Sequence, residues 1–246
     1  MDREHRLLTV AILAGGRATR LQPLTENVPK SLLELNGEPF AIHQLRLLRA
    51  KGFRRVVLCV GHLGVLVERV IGDGALGLQV DYSFDGPVPL GTAGAIKNAL
   101  PKLGDSFFVM YGDSYLPCDY AAIAQRFQST GVLGMMTVFR NEGKWDSSNV
   151  EFEAGTIIAY SKTDRNPRMH YIDYGLGVFR AEAFQKLPTG KACDLSEVYI
   201  DLLRRQQLAA TEVHERFYEI GSPAGLRETA DFLAARAGNQ RAVNQP

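Results

Sequence analysis

L-L-T-V-A-I-L-A-G-G-R-A-T-R-L-Q-P-L-T-E-N-V-P-K, residues Leu7 to Lys30, decides how the rest of the chain is read. Its first part, Leu7 to Leu13, is an apolar run of strand length that enters the pair Gly15-Gly16. Glycines at the end of a strand let backbone N–H groups come close to a phosphate, because no Cβ intervenes. Two cations follow, Arg20 and Lys30, separated by the turn Pro23 to Thr25. Guanidinium and ammonium groups supply the charge that a polyphosphate requires. The stretch predicts a nucleoside triphosphate site. It is not a Walker loop, since no G-K-[ST] follows the glycines, and it lacks the G-x-G-x-x-G of dinucleotide sites.

Working outward, strand-like and helical patterns alternate. Val56 to Val60 is continuously apolar, as in a parallel sheet covered on both faces. Ala41, Leu45 and Leu48 recur at helical spacing in a helix from about Ala41 to Lys51. Helices are expected at Gly64 to Ile71, at Thr92 to Ala99 with a stop at Pro101, and at Tyr120 to Phe127. Strands are expected at Leu78 to Tyr82 and Phe107 to Met110. After about Gly131 strands become frequent: Gly134 to Phe139, Asn149 to Phe152, Thr156 to Tyr160 and Tyr171 to Phe179. Leu195 to Arg205 reads as a helix, and Pro223 suits the first turn of a last one. A single domain over residues 1–237 is expected, with a nucleotide-binding half at about 7–130 and a second half at about 131–237. Residues 238–246 are expected to be a disordered tail.

The 246 residues are 46% apolar, enough for a sizeable core, and the net charge is +1. Near-neutral charge gives no footprint for non-specific nucleic-acid binding. No apolar run reaches the roughly 20 residues that span a bilayer, and Met1 to Arg6 lacks a signal-peptide apolar region. Cys59, Cys118 and Cys193 are scattered, without metal-ligand spacing or a disulfide framework. These features predict a cytoplasmic protein without nucleic-acid or membrane partners; a homo-oligomer stays open.

The quoted stretch, extended through S-L-L-E-L-N-G-E-P-F, resembles the signature of the sugar-1-phosphate nucleotidylyltransferases. The resemblance continues in order through P-L-G-T-A-G-A (Pro89 to Ala95), Y-G-D (Tyr111 to Asp113), N-V-E-F (Asn149 to Phe152) and F-Y-E-I-G-S-P (Phe217 to Pro223). It implies a Rossmann-like three-layer α/β/α nucleotidyltransferase fold, with a mostly parallel sheet and a smaller mixed C-terminal subregion. It implies the reaction of a nucleoside triphosphate with a sugar 1-phosphate to give a nucleoside diphosphate sugar and pyrophosphate.

The resemblance also implies roles. Leu13, Ala14, Gly15, Gly16 and Arg20 would hold the nucleotide, with Pro89, Gly91 and Thr92 on the base side. Arg20, Lys30 and Asp113 would be catalytic, Arg20 against the triphosphate and Lys30 between the α-phosphate and the sugar phosphate. Asp113 would bind Mg²⁺; its alternative is a helix N-cap with Ser114. The second metal carboxylate, usually an aspartate, is here Glu219, one methylene longer. Lys30, Glu151, Lys162 and Asp173 would meet the sugar phosphate, although Glu151 also fits an outward position on a half-exposed strand. Trp145 fits either stacking on a sugar or packing. Departures from the family pattern at Ser161 and Asp173 suggest a sugar unlike plain glucose. The loop Asp85 to Gly94 is most like that of guanylyltransferases for mannose 1-phosphate or manno-heptose 1-phosphate. Open alternatives are a uridylyl- or other nucleotidylyltransferase, or a non-catalytic nucleotide-sugar sensor of the same fold.

Overall fold

The computed structural model describes residues 8–16 and 18–243, with side chains up to residue 238. The first part of the chain is β1 (Thr9–Leu13), β2 (Glu34–Leu35), β3 (Glu38–Pro39), α1 (Phe40–Ala50), β4 (Arg55–Val60), α2 (Gly64–Ile71), β5 (Gln79–Phe84), α3 (Gly91–Leu103) and β6 (Ser106–Tyr111). Then come β7 (Ser114–Tyr115), α4 (Tyr120–Thr130), β8 (Gly134–Arg140), β9 (Val150–Glu153), β10 (Thr156–Tyr160) and β11 (Tyr171–Arg180). The chain continues with α5 (Leu195–Arg204), β12 (Leu208–Val213), β13 (Tyr218–Glu219) and α6 (Pro223–Val243).

One nine-stranded sheet carries the molecule, with β10-β9-β11-β6-β1-β4-β5 as its main path. The β5-β4-β1-β6 part is parallel throughout. β11 pairs antiparallel with β6, and β8 with β11, while β12 returns parallel to β8. The mixed strands of the second half are thus hydrogen-bonded to the parallel set rather than forming a sheet of their own. Strand order reverses between β1 and β6, the place where ligands bind in open α/β sheets, outside the strands' carboxyl ends.

Side chains of β1 alternate between two cores. Val10 and Ile12 pack with Leu45 and Leu48 of α1, Val67 of α2 and Phe127 of α4. Ala11 faces Ile96 of α3 and Val198 and Leu202 of α5 on the other side. This produces the three layers, because a strand covered on both faces buries both of its side-chain rows. A third apolar cluster, with Phe40, Tyr115, Ile220 and Leu233, docks α6 beside the short β7–β13 pair.

Two boundaries differ from expectation. Pro101 does not stop α3, which runs on to Leu103 and ends at Gly104 with φ +82°. Proline removes one N–H there, and burial of Leu103 holds the last turn on the core. The final helix continues to Val243, into the segment expected to be a disordered tail (238–246). Alanine, arginine and glutamine favour a helix in Asn239 to Val243. Residues 244–246 lie outside the described residues, as does Leu7 at the start of the first predicted strand.

Candidate active site

The carboxyl ends of β1, β4 and β6 meet backbone to backbone. The Ala14 N–H donates to Cys59 O at 2.8 Å, and the Gly112 N–H donates to Leu13 O at 2.9 Å. A Cβ on Gly112 would stand 2.7 Å from Leu13 O, so only glycine admits this approach. Above these strand ends lies a cavity of about 530 Å³, within the range of small-molecule sites. Leu13, Ala14, Gly15, Gly16, Lys30, Pro89, Gly91, Thr92 and Asp113 all line it.

Lys30 and Asp113, 83 residues apart, form the sharpest contact there. Lys30 Nζ donates to Asp113 Oδ2 at 2.7 Å, and both side chains are only partly exposed. The other oxygen, Oδ1, receives a long 3.4 Å contact from Ser114 Oγ. Gln44 of α1, 1% exposed, donates through Nε2 to Tyr111 O at 3.2 Å and to Ser114 O at 2.7 Å. That amide clamps the backbone on both sides of Asp113, a support the sequence did not reveal. Asp113 is no N-cap here, since β7 follows it and Asp119 caps α4.

Glu219 arrives by the β7–β13 pairing, which sets it opposite Ser114. Its Oε2 accepts from the Gly221 N–H and its Oε1 from Ser222 Oγ at 3.0 Å. Asp113 Oδ2 is 3.6 Å from the Cβ point on Gly221, so both carboxylates border that glycine. Asp113 is paired through Oδ2 with Lys30 and holds Oδ1 only loosely, whereas both oxygens of Glu219 are engaged with the start of α6. Among the described residues no group of three or more His, Cys, Asp or Glu converges as a metal cage. One or two carboxylates beside substrate phosphates suit magnesium, which seldom uses an all-protein site.

Arg20 stands on the single 3-10 turn Thr19–Leu21, exposed and outside the cavity lining. Thr92 borders the cavity, but its hydroxyl is committed: it donates to Asp194 Oδ2 at 3.3 Å and accepts from the Leu195 N–H at 2.7 Å. The Ala93 N–H of α3 is likewise taken, by Cys193 O at 2.9 Å. The cavity wall at Thr92 is thereby tied to the start of α5.

The sugar-phosphate candidates fall into two groups. Lys162 Nζ pairs with Asp194 Oδ1 at 2.6 Å. Burial works against ionised Asp194, yet hydrogen bonds from Lys162 and Ser196 hold its carboxyl below the usual range. Asp173 accepts the Gly175 N–H at 3.0 Å, and burial pushes its carboxyl up to about 6. Tyr111 joins these groups to the cavity. It lines the cavity wall, and burial followed by the charges of Asp173, Asp194 and Asp113 raises its phenol well above its ordinary pKa. Glu151 stands apart, 2% exposed, with Asn166 Nδ2 at 3.0 Å on Oε2 and Arg168 Nε at 3.0 Å on Oε1. Both oxygens face the 161–170 segment that carries Lys162.

Trp145 packs: the Arg216 guanidinium lies 3.4 Å over its ring centroid and also 4.8 Å from the Tyr218 ring. Cys59 and Cys118 are buried, and burial raises both thiols to about 12. Asp194 was missed in the sequence, although D-L-S-E (Asp194 to Glu197) carries the spacing of the capping box found there. No helix among the described residues is long and apolar enough to cross a membrane.

Residues 9–235 match the family model described as Nucleotidyl transferase. N-acetylmuramate alpha-1-phosphate uridylyltransferase of Neisseria meningitidis is 29% identical over 238 residues, 91% of this chain and 97% of that protein. Mannose-1-phosphate guanylyltransferase of Mycobacterium tuberculosis is 31% identical over 196 residues, 78% of this chain and 54% of that protein. The chain therefore spans nearly all of the first and about half of the second. HddC from Yersinia pseudotuberculosis, solved in complex with GMP-PN, shares the fold with a TM-score of 0.76 at 23% identity, over 92% of this chain and 99% of that one. With the glycine loop, the switch-point cavity and the match over residues 9–235 in agreement, the chain belongs to the nucleotidyl transferase family of enzymes.

Proposed function

We propose that this enzyme transfers a nucleoside monophosphate from a nucleoside triphosphate to a sugar 1-phosphate, with GTP and mannose 1-phosphate or manno-heptose 1-phosphate as the pair. The observation that carries the proposal is the Lys30–Asp113 contact at 2.7 Å, on the rim of a cavity floored by the Leu13 to Gly16 backbone. A sugar phosphate oxygen attacks the α-phosphorus, the new P–O bond forms, and the bond to the β-phosphate oxygen breaks, releasing pyrophosphate. Such chemistry is mainly positioning and electrostatic stabilisation.

Leu13 to Gly16 line the triphosphate, with the N–H groups of Gly15 and Gly16 donating because that of Ala14 is taken by Cys59 O, and Arg20 reaches it from its exposed turn. Lys30 leaves Asp113 to neutralise the α-phosphate and the incoming phosphate. The carboxylates of Asp113 and Glu219 would hold Mg²⁺, which lowers the charge on phosphate oxygens when bound. Lys162 and Asp173 take the sugar phosphate and sugar hydroxyls. Glu151 acts through Asn166 and Arg168, fixing the segment that bears Lys162. Residues 1–237 form one domain on this reading, supported by the sheet that runs through both halves. The reading extends to a cytoplasmic role in polysaccharide precursor synthesis, since a nucleoside diphosphate sugar is a glycosyl donor.

A second reading, UTP with N-acetylmuramate 1-phosphate, is favoured by the near-complete span of the Neisseria relative. Pyrophosphate release, assayed for five nucleoside triphosphates against mannose, manno-heptose, glucose, N-acetylhexosamine and N-acetylmuramate 1-phosphates, separates the two. GTP with mannose or manno-heptose 1-phosphate is expected to give the highest rate. Failure of every pair would overturn the catalytic reading.

A further inference from the structure

Lys30 and Asp113 meet across 83 residues of chain, and one helix supports both. Lys30 stands on the 3-10 turn Lys30–Leu32, whose Leu32 packs in the same core as Ala41 and Leu45 of α1. The Phe40 N–H, at the start of α1, donates to Leu33 O at 2.9 Å, one residue past that turn. Asp113 lies in the turn between β6 and β7, where Gln44 of α1 reaches a carbonyl on either side of it. α1 therefore sets the separation between the ammonium and the carboxylate.

Gln44 is the polar member of the buried face of α1, among Phe40, Ala41, Leu45, Leu47 and Leu48. Its Nε2 donates to Tyr111 O at 3.2 Å and to Ser114 O at 2.7 Å. Its Oε1 is buried and has no hydrogen-bond partner among the described residues. The reverse orientation of the amide would set an oxygen against two carbonyl oxygens, so the N–H₂ group faces this turn. The Asp113 carbonyl itself accepts the Ile220 N–H at 2.9 Å. The backbone around Asp113 is thus held by α1 on one side and by the chain after β13 on the other.

We propose that Gln44 is a positioning residue, which acts through Asp113 to fix where the carboxylate stands against Lys30 and the transferred phosphate. The assignment rests on the nucleotidyltransferase reading and adds to it a buried side chain that touches no substrate. A misplacement of about 1 Å in a reacting site costs on the order of 100-fold in rate. Groups that orient a metal-binding carboxylate are worth about 10- to 100-fold.

Gln44→Met keeps the length of the side chain and loses both donors. It is expected to lower kcat for pyrophosphate release about 10-fold or more, with KM for the sugar phosphate within about 2-fold. Calorimetric titration uses the nucleoside triphosphate that the wild type turns over best, with Mg²⁺ and with EDTA. The metal-free affinity should be unchanged, and the gain in affinity from Mg²⁺ should shrink about 10-fold. Gln44→Glu is isosteric and decides the matter where the Met variant does not fold. Protonated, its carboxyl donates to one carbonyl; ionised, it repels both. Its rate relative to wild type should therefore fall as pH rises, a limb that packing alone does not produce. Unchanged kcat and Mg²⁺ effect in Gln44→Met, equal losses of binding with and without Mg²⁺, or a flat rate ratio in Gln44→Glu would each overturn the assignment and leave nucleotidyl transfer intact. A wild type that turns over no nucleoside triphosphate would remove both.

Discussion

The two halves of the site are prepared in different ways. In the nucleotide half, the cavity is walled largely by backbone: Leu13 to Gly16, Gly61 and Gly112 bring main chain against main chain, and the charged side chains on its lining are Lys30, Asp85 and Asp113. In the sugar half, nearly every candidate side chain already has a partner, Lys162 with Asp194 and Glu151 with Arg168 and Asn166. A backbone-built site is preorganised and pays little to receive its ligand. A site of paired charges must exchange partners, so its residues serve both the fold and the ligand. Activity and stability should therefore separate in the first half and travel together in the second.

Lys30→Ala is the strongest way to break the comparison. Loss of one donor that strengthens in the transition state should lower kcat about 100-fold or more, nearly 3 kcal/mol of barrier. The same change should move stability by less than about 1 kcal/mol, because the ion pair with Asp113 is partly solvated. Pyrophosphate release and urea unfolding of the same variant give both numbers. A near-normal kcat would remove Lys30 from the chemistry. A large loss of stability would show that the nucleotide half also relies on side-chain pairing.

Residues close in sequence carried most of what could be read without a structure. Gly64 to Ile71 and Thr156 to Tyr160 form the expected helix and strand to the residue, because apolar periodicity and flanking glycines act locally. β12 escaped, as its six residues alternate weakly and gain strand form only by lying beside β8. β7 and β13 are two residues each and exist because they pair with each other. The same division holds in the site. The glycine loop announced its chemistry, whereas the meeting of Lys30 with Asp113, the Gln44 clamp and the Asp194–Lys162 pair depend on folding distant segments together. Resemblance supplied Asp113 as a candidate ligand; nothing local could supply its neighbours.

Asp173→Asn tests the second half with a smaller effect. In the folded chain its carboxyl is raised from 3.8 to about 6, chiefly by burial. Below about pH 4 both folded and unfolded chains hold the proton, so the variant should match the wild type. Between about pH 4 and about pH 6 the unfolded chain ionises first, and the wild type loses stability as pH rises. Above that window Asp173→Asn should be the more stable by about 3 kcal/mol. Urea midpoints across this pH range measure the difference. On the proposed role of Asp173 at the sugar phosphate, kcat/KM for that substrate should fall in the stabilised variant. A gain in stability with unchanged kcat/KM would make Asp173 a bystander.

The smallest effect sharpens the claim that the nucleotide half is preorganised. Ala18, in the loop after the glycine pair, has φ +51° and ψ +43°, a left-handed conformation uncommon for a residue with a Cβ. Its carbonyl is fixed by the Leu21 N–H at 3.0 Å and by the Thr25 hydroxyl at 2.9 Å, with Thr25 4% exposed. Ala18→Gly relieves about 1 kcal/mol of strain, while the freer unfolded chain takes back about 0.4–1 kcal/mol. Net stability should change by less than about 0.5 kcal/mol, seen as an almost unmoved urea midpoint. The binding loop nevertheless becomes easier to disorder, and ordering it again falls on the ligand. KM for the nucleoside triphosphate should then rise about 2- to 3-fold with KM for the sugar phosphate unchanged. A rise shared by both substrates would mean that the loop orders the whole cleft, and the two halves would no longer be separable at this residue.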